Sequence, residues 1–334
     1  MAAAAECQEP RARVRLPRRA LHGVLLLDKP LDWTSNDALQ KVKGLLRAEK
    51  GGHTGTLDPL ATGLLPLCFG AATKFAQANL EADKRYLATL RLGERTRTGD
   101  GEGEVVERRD VAVDETAIEA ALAAHRGTID QLPPMLSALK HQGRALYEYA
   151  RAGVEVEREP RRVTIHRLAM VSWRTPELVL DVVCSKGTYV RTLAETIGAA
   201  LGCGATLAAL RRTASGPASL TEAITIEALE ALDDASRLAR LRPADLLLAD
   251  WPAVHLAADE AGRFLTGLRR RVTRADAPHV RVYGPPPHRL GIEPASQQPA
   301  FLGSARITAG ELIADRLLSP LEVQAAAAGH PPQP

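Results

Sequence analysis

Residues 51–63 of this 334-residue chain read Gly-Gly-His-Thr-Gly-Thr-Leu-Asp-Pro-Leu-Ala-Thr-Gly. The glycines, threonines and proline leave no repeat of 2 or 3.6 residues, so the stretch predicts an ordered loop rather than a helix or strand. Such a loop constrains everything around it. Glycine lets backbone come close to a ligand, and threonine hydroxyls can meet the backbone groups that a ladder would otherwise pair. The loop can therefore present the carboxylate of Asp58 inside a cleft. Taken alone, Asp58-Pro59 is only a common turn initiator.

The flanking sequence predicts mixed structure. Val24 to Leu27 is a short apolar strand, and Ser35 or Asn36 caps a helix with Ala38, Leu39, Val42, Leu45 and Leu46 at helical spacing. Tyr86 to Leu92 alternates like a strand, and Ala117 to His125 forms a helix closed by Gly127. Val163 to Trp173 and Leu178 to Cys184 predict a hairpin around Thr175-Pro176, followed by a helix over 192–201. Strands run from Val272 to Val282 and from Ala300 to Ile307, separated by the proline-rich segment 284–299. Strands and helices without strict βαβ alternation point to the α+β class, with an antiparallel or mixed sheet. The length suits two domains, the second starting near Arg242.

Composition excludes several classes. Hydrophobic residues at 45% and charged residues at 25% are ordinary for a globular protein, not for a disordered, collagenous or disulfide-stapled one. The formal net charge is only +3, so nucleic-acid binding has to rest on local basic patches. The four cysteines form no CxxC, and no histidine stands at zinc-finger spacing; neither a metal site nor a disulfide framework is expected, and a reducing compartment fits. No apolar run approaches the ~18 residues of a membrane span. Arginines 11, 13, 15, 18 and 19 lie in an N-terminal segment without a secretory apolar core, and Glu6, Glu9, Pro10 and Pro17 oppose an amphipathic targeting helix. A solvated tail over 1–20 and a cytoplasmic protein are expected. No GxGxxG or GxxxxGK[ST] loop is present, and Asp100-Gly-Glu102-Gly-Glu104 has the wrong spacing for calcium, so it reads as a hairpin turn.

The run Gly52 to Pro66, GHTGTLDPLATGLLP, resembles the signature loop of the TruB-type tRNA pseudouridine synthases. The resemblance continues through Asp28-Lys29-Pro30 with Thr34-Ser35, Ala72-Thr73-Lys74-Phe75 and Asp83-Lys84-Arg85-Tyr86. It extends to PPMLSALKHQGRALYEYARAG at 133–153, CSKGTYVR from Cys184 to Arg191, and Leu207 to Arg212, all in the family's order. It implies a pseudouridine synthase fold over 21–241: a mixed or antiparallel central sheet flanked by helices and loops, with an RNA-clamping insertion at 131–153. It further implies a small, β-rich, PUA-like RNA-binding domain over 242–324 and a disordered tail over 325–334. The basic run Arg263, Arg269 to Arg271 and Arg274 suits that C-terminal domain.

The implied reaction isomerises uridine 55 in the T-loop of tRNA: the N1–C1′ bond breaks, the uracil turns over, and a C5–C1′ bond forms. Asp58 matches the family's catalytic aspartate, which is open to three roles: attack at C1′, attack at C6, or proton abstraction. Arg191 matches its cationic partner, which would hold the carboxylate ionised. Tyr86 matches the tyrosine that stacks on the target base. Tyr189 and Leu210 match pocket-lining positions, His53 the residue that fills the space left by the flipped nucleotide, and Asp100 and Lys29 supporting positions. Lys74, Lys84, Lys140, Arg151 and Lys186, together with Arg85 and Arg144, lie in matched segments and are expected to meet RNA. The isomerisation is redox-neutral, so no cofactor or metal is implied, and the expected partner is the tRNA T-arm, met by a monomer without an obligatory protein partner.

Three departures stand out: Asp32 replaces a usual glycine, Leu136 a common aromatic, and the 284–299 segment is longer than usual. A guide-RNA-dependent synthase is the nearest alternative, but the complete 131–153 insertion favours a stand-alone enzyme. A tRNA-folding chaperone without catalysis is a second alternative, opposed by the intact Asp58, Tyr86 and Arg191. A glycoside hydrolase would need a carboxylate pair, where this chain offers one carboxylate with an arginine.

Overall fold

The computed structural model describes residues 17–137, 139–286 and 299–328. The N-terminal half runs β1 (Gly23–Lys29), α1 (Ser35–Leu45), β2 (Gly51–His53), β3 (Ala61–Phe69), α2 (Ala76–Glu81), β4 (Lys84–Leu92), β5 (Glu94–Thr96), β6 (Val105–Arg108), α3 (Glu115–Ala124) and β7 (Gly127–Gln131). Then follow β8 (Lys140–His141), β9 (Arg144–Ala145), α4 (Leu146–Arg151), β10 (Arg161–Arg174), β11 (Glu177–Cys184), α5 (Val190–Ala200), β12 (Ala205–Ser215), β13 (Ala218–Ser219), β14 (Ile224–Thr225), α6 (Ile226–Ala231) and α7 (Asp234–Leu238). The chain ends with β15 (Ala253–His255), α8 (Ala258–Leu265), β16 (Arg270–Arg271), β17 (Ala277–Gly284), β18 (Ala300–Thr308), β19 (Glu311–Leu317) and α9 (Pro320–Ala328).

The central sheet is mixed, in the order β14-β1-β3-β12-β4-β11-β10-β7, with β2 on β3 and β13 on β12. β3 and β12 run parallel, while β12, β4, β11 and β10 are antiparallel in succession. Period-2 alternation sets the faces of β4. Ala88, Leu90 and Leu92 are buried, and Arg85, Leu87 and Arg91 point to solvent. Helices cover one face in two halves. α3 and α5 close a core over β4, β11 and β12, and α1 and α6 close another over β1 and β3. Tyr86 and Leu210 pack against both cores, so they sit at the seam. Backbone bonds between Arg242 and Val24, with Ala244 and Leu247 packed beside Val24 and Leu64, hold the chain against the large sheet as far as Leu247.

The second sheet is β15-β17-β18-β19-β16. Its core includes Ala71 and Phe75 from the short 3-10 turn after β3. Phe75 meets Phe301 edge-on, with centroids 5.0 Å apart, so the small domain is packed onto the large one.

Several local expectations are corrected. Thr34, not Ser35 or Asn36, caps α1 in a reciprocal box with Asp37, while the Ser35 hydroxyl is buried and turned towards Leu57. The loop is confined to residues 54–60, because Gly51–His53 pairs with Leu67 to Phe69 and Ala61–Gly63 joins β12. The end of the tail expected over 1–20 is tied down: the Arg19 backbone pairs with Ala48 and its guanidinium grips Asp234. α9 continues to Ala328, beyond the expected limit of order at 324. The strand expected over 272–282 breaks between Arg271 and Ala277. The hairpin at Thr175-Pro176 is present, with that peptide bond cis. Residues 1–16, and most of the 284–299 segment, lie outside the described residues.

Gly198 shows how tightly α5 meets β12: a Cβ there would lie 2.1 Å from the Ala205 backbone nitrogen. Helix propensity favours Ala over Gly by about 1 kcal/mol, but overpacking of this kind costs about 1–3 kcal/mol. Gly262 of α8 has open space around its Cβ position. In chemical denaturation, Gly198→Ala should lower the unfolding free energy, while Gly262→Ala should raise it by up to ~1 kcal/mol.

Candidate active site

A cleft of about 270 Å³ opens at the seam, and Asp58, Tyr86, Tyr189, Arg191, Leu210 and Arg212 are among the residues lining it. The loop that carries Asp58 is tied on several sides. The Leu57 N–H donates to Ser35 Oγ at 2.8 Å, and the Asp32 N–H donates to the Pro59 carbonyl at 3.0 Å. Lys29 Nζ donates to the carbonyls of Trp33 at 2.6 Å, Pro30 at 2.8 Å and Pro59 at 3.4 Å. Arg212 Nη2 donates to the Gly55 carbonyl at 3.1 Å, and Thr54 Oγ1 bonds Asn79 at 2.6 Å. The expectation that threonine hydroxyls would satisfy the backbone of this loop is not met at Thr54, whose hydroxyl bonds the Asn79 side chain; Ser35, Lys29 and Arg212 meet the backbone groups instead. Asp32 adopts φ 63°, the left-handed region that its expected glycine would favour.

The Asp58 side chain is about half exposed (48%), as a reacting group must be, while its partner is not: the Arg191 side chain is 7% exposed. Arg191 Nη2 lies 3.0 Å from Asp58 Oδ2 and donates to the Leu136 carbonyl at 2.7 Å. Nη1 lies 3.5 Å from Asp100 Oδ2. Asp100 is buried and held in turn, with Oδ1 accepting from Thr98 Oγ1 at 2.5 Å and from the Glu102 N–H at 3.3 Å. A buried guanidinium between two carboxylates and a carbonyl has little freedom to move, so Asp58 is aimed as well as neutralised. Burial, with the carboxylates of Asp100, Asp58 and Asp32 adding to it, raises the Glu102 pKa.

Tyr86 and Tyr189 flank the cleft. Burial raises the pKa of both phenols. The Tyr189 backbone is clamped by Gln131, whose amide bonds both its N–H (2.7 Å) and its carbonyl (3.0 Å). That clamp places Tyr189 at the N-cap of α5, two residues before Arg191.

Other expected residues are placed differently. His53 lies on β2, outside the cleft lining, with Nδ1 buried and unpartnered; burial lowers its pKa. Lys84 is corrected as an RNA contact: it is buried, and its ammonium is spent on the carbonyls of Asn79, Leu80 and Ala82, closing the end of α2. Lys74 reaches Leu317 and Glu322 and ties the two domains together. Arg85 points to the opposite face of β4 from Tyr86, where it pairs with Asp181. Lys186 lines the cleft and pairs with Glu81. Lys140 and Arg151 are exposed on the β8–α4 insertion, with Arg151 over the Tyr147 ring. No cluster of metal-binding side chains occurs among the described residues, and no helix among them is long and apolar enough to cross a membrane.

Sequence reading missed Arg212, which is 1% exposed at the cleft floor. An arginine near the end of a strand ordinarily reads as surface; only the register, which sets Arg212 directly opposite Tyr86, brings it inside.

The fold is that of the pseudouridine synthases. The crystal structure of a Cbf5-Nop10-Gar1 complex superposes with a TM-score of 0.67 at 23% identity, over 91% of this chain and 87% of that one, a likeness of fold alone. Residues 43–190 match the TruB family pseudouridylate synthase N-terminal domain, and 191–249 the tRNA pseudouridylate synthase B C-terminal domain. The latter match runs from α5 through β12, β13, β14, α6 and α7, so the five-stranded sheet lies beyond both matches. The chain is 58% identical over 292 residues to tRNA pseudouridine synthase B of Burkholderia mallei, covering 85% of this chain and 94% of that protein. It is 54% identical over 306 residues to the protein of the same name from Cupriavidus metallidurans, covering 91% and 96%. The chain belongs to the TruB family of pseudouridylate synthases.

Burial pushes the Lys29 ammonium down to about 8 from 10.5, and Lys84 likewise to about 8. Between those values each lysine binds more protons in the unfolded chain than in the native one, so stability rises with pH from about 8 to 9, by up to about 1.4 kcal/mol per pH unit for each lysine; above 9 the buried thiols of Cys68 and Cys184, pushed up to about 12 and about 11, oppose the rise. Urea unfolding should show this rise. Lys29→Met should be less stable throughout, through three stranded carbonyls, and should show a shallower rise; an unchanged slope would contradict the assignment.

Proposed function

We propose that this chain converts uridine 55 in the T-loop of tRNA to pseudouridine, which makes more specific the tRNA pseudouridine synthesis named in its relatives. The observation that carries this reading is the Asp58–Arg191 pair, an exposed carboxylate held at 3.0 Å by a buried guanidinium beside two tyrosines. Each role open to Asp58 needs an ionised carboxylate in a fixed place. Attack at C1′ opposes the departing N1, attack at C6 loosens the same bond, and abstraction removes a proton from the sugar. The Arg191–Asp100 support serves all three.

The target base must leave the RNA stack to reach Asp58. Tyr86, Tyr189 and Leu210 form walls against which a flat base can pack, and the seam between the two cores is where such a base would lie. His53, on β2 beside the loop, is proposed to fill the space that the flipped nucleotide leaves. The β8–α4 insertion is proposed to close on the T-arm, with Lys140 and Arg151 towards phosphates and its tyrosines towards bases. Lys186 sits at the cleft mouth, where exchange of Glu81 for a phosphate would bring it onto the RNA. The five-stranded domain is proposed to extend the RNA surface. The enzyme is proposed to act in the cytoplasm, as a monomer without a guide RNA or protein partner.

The test is tritium release from a tRNA transcript labelled at uracil C5, with no other RNA or protein added. The wild type should release tritium. Asp58→Asn should lower the rate by at least about 1000-fold, the scale expected when a nucleophile or its equivalent is removed. Replacing uridine 55 by cytidine should abolish release. Tight tRNA binding by folded wild type without release would leave a chaperone, and release only after a guide RNA is added would leave the guide-dependent alternative.

A further inference from the structure

Arg212 heads the fully buried side chains among the described residues by volume. Its Nε donates to the Leu64 carbonyl at 2.7 Å and its Nη2 to the Gly55 carbonyl at 3.1 Å. Neither partner carries charge. A guanidinium without a buried acid is expensive to keep, and an apolar side chain of the same volume would fill the space at less cost. Its register partner across the strands is Tyr86, and the guanidinium favours ionisation of that phenol against the burial that opposes it. Both residues line the cleft that holds Asp58.

We propose that Arg212 is a positioning residue for the isomerisation, holding Tyr86 by its phenol oxygen and stabilising that oxygen whenever it carries negative charge. The proposal rests on the pseudouridine synthesis argued above. In that reaction the N1–C1′ and C5–H bonds break while the C5–C1′ and N1–H bonds form, so one proton leaves carbon and one arrives at nitrogen. A phenol that relays a proton within this balance gives up its own and takes another, and between the two events it is a phenolate. Arg212 is placed to stabilise that phenolate inside a partly dry cleft.

The groups around Tyr86 fit this role. Asp58 reaches it from the loop and Cys184 from β11, and both disfavour a phenolate; Arg212, from β12, opposes them. Around Arg212 stand His53 of β2, Lys29 of β1 and Lys84 of β4. The ammonium groups of Lys29 and Lys84 are occupied by carbonyls, which leaves Arg212 as the cation set directly opposite Tyr86.

The test uses Arg212→Gln, Arg212→Lys, Tyr86→Phe and the double variant Tyr86→Phe/Arg212→Gln of the full chain. Near-ultraviolet difference titration without RNA identifies Tyr86 as the signal lost in Tyr86→Phe. Arg212→Gln should move that ionisation to higher pH, and Arg212→Lys should restore it most of the way. With T-arm tRNA in single turnover, Arg212→Gln should slow pseudouridine formation by about 100-fold, the usual scale of a proton-transfer role, with RNA affinity unchanged. It should slow Tyr86→Phe no further. A phenol titration that does not move, or rate losses that multiply in the double variant, would overturn the proposal and leave Arg212 as a clamp on Gly55 and Leu64. If Arg212→Gln does not fold, Arg212→Lys decides: a clamp would lose thermal stability together with rate, whereas the proposed role keeps the alkaline limb of the pH–rate profile near the wild type. No turnover by the wild type would remove the functional reading and this role with it; turnover with an unmoved titration would remove this role alone.

Discussion

The buried guanidinium of Arg191 is the interaction on which the site depends. Placed between Asp58 and Asp100, it fixes the carboxylate of a loop whose backbone is already tied by Ser35, Lys29 and Arg212. Each member is supported by a different part of the chain. Arg191 is carried on the first turn of α5, Asp58 on the loop before β3, and Asp100 on the turn after β5. The Asp100 turn is bonded to β12 through Gly101 N–H and Leu207 O at 2.9 Å, and Gly99 O and Leu207 N–H at 3.0 Å. The pair therefore reports the correct assembly of three segments distant in sequence. Removing Arg191 would strand the buried Asp100 as well as release Asp58, so its loss should exceed that of a surface ion pair.

The same assembly explains where the cleft lies. Two helix pairs cover one face of a twisted mixed sheet, and they leave a seam along β4 and β12. Alternation puts Tyr86 into that seam and Arg85 on the opposite face, although the two are neighbours in sequence. The floor is cationic, through Arg212 with Lys84 and Lys29 nearby, and the wall around Arg191 is acidic, through Asp58 in the cleft with Asp100 and Glu102 behind it. A neutral base that passes through charged states would meet both signs at fixed distances, which is the form electrostatic preorganisation takes.

Much of this was legible in the residues. The GHTGTLDPLATG loop, Tyr86 and the CSKGTYVR segment each carry their chemistry in a few consecutive positions, and the structure brings Asp58, Tyr86, Tyr189, Arg191 and Leu210 around one cleft. The hairpin of β10 and β11 and the periodicity of α1 were equally plain. What stayed hidden depends on tertiary context. Lys84 reads as a cation free to meet RNA and Lys29 as a supporting residue, yet each is drawn inside by carbonyls that only the folded loops present. Ser35 and Asn36 are the expected caps, but Leu57 claims the serine and Thr34 caps the helix instead. Arg212 becomes a site residue only through its register with Tyr86.

The most direct measurement is single-turnover pseudouridine formation by Arg191→Met, with tRNA binding measured alongside on the same folded protein. If a buried cation aims Asp58, the rate should fall by about 1000-fold, the upper range for loss of a preorganised electrostatic group, while RNA affinity stays within about threefold. A rate close to wild type would show that Asp58 finds its place without Arg191 and would contradict the account.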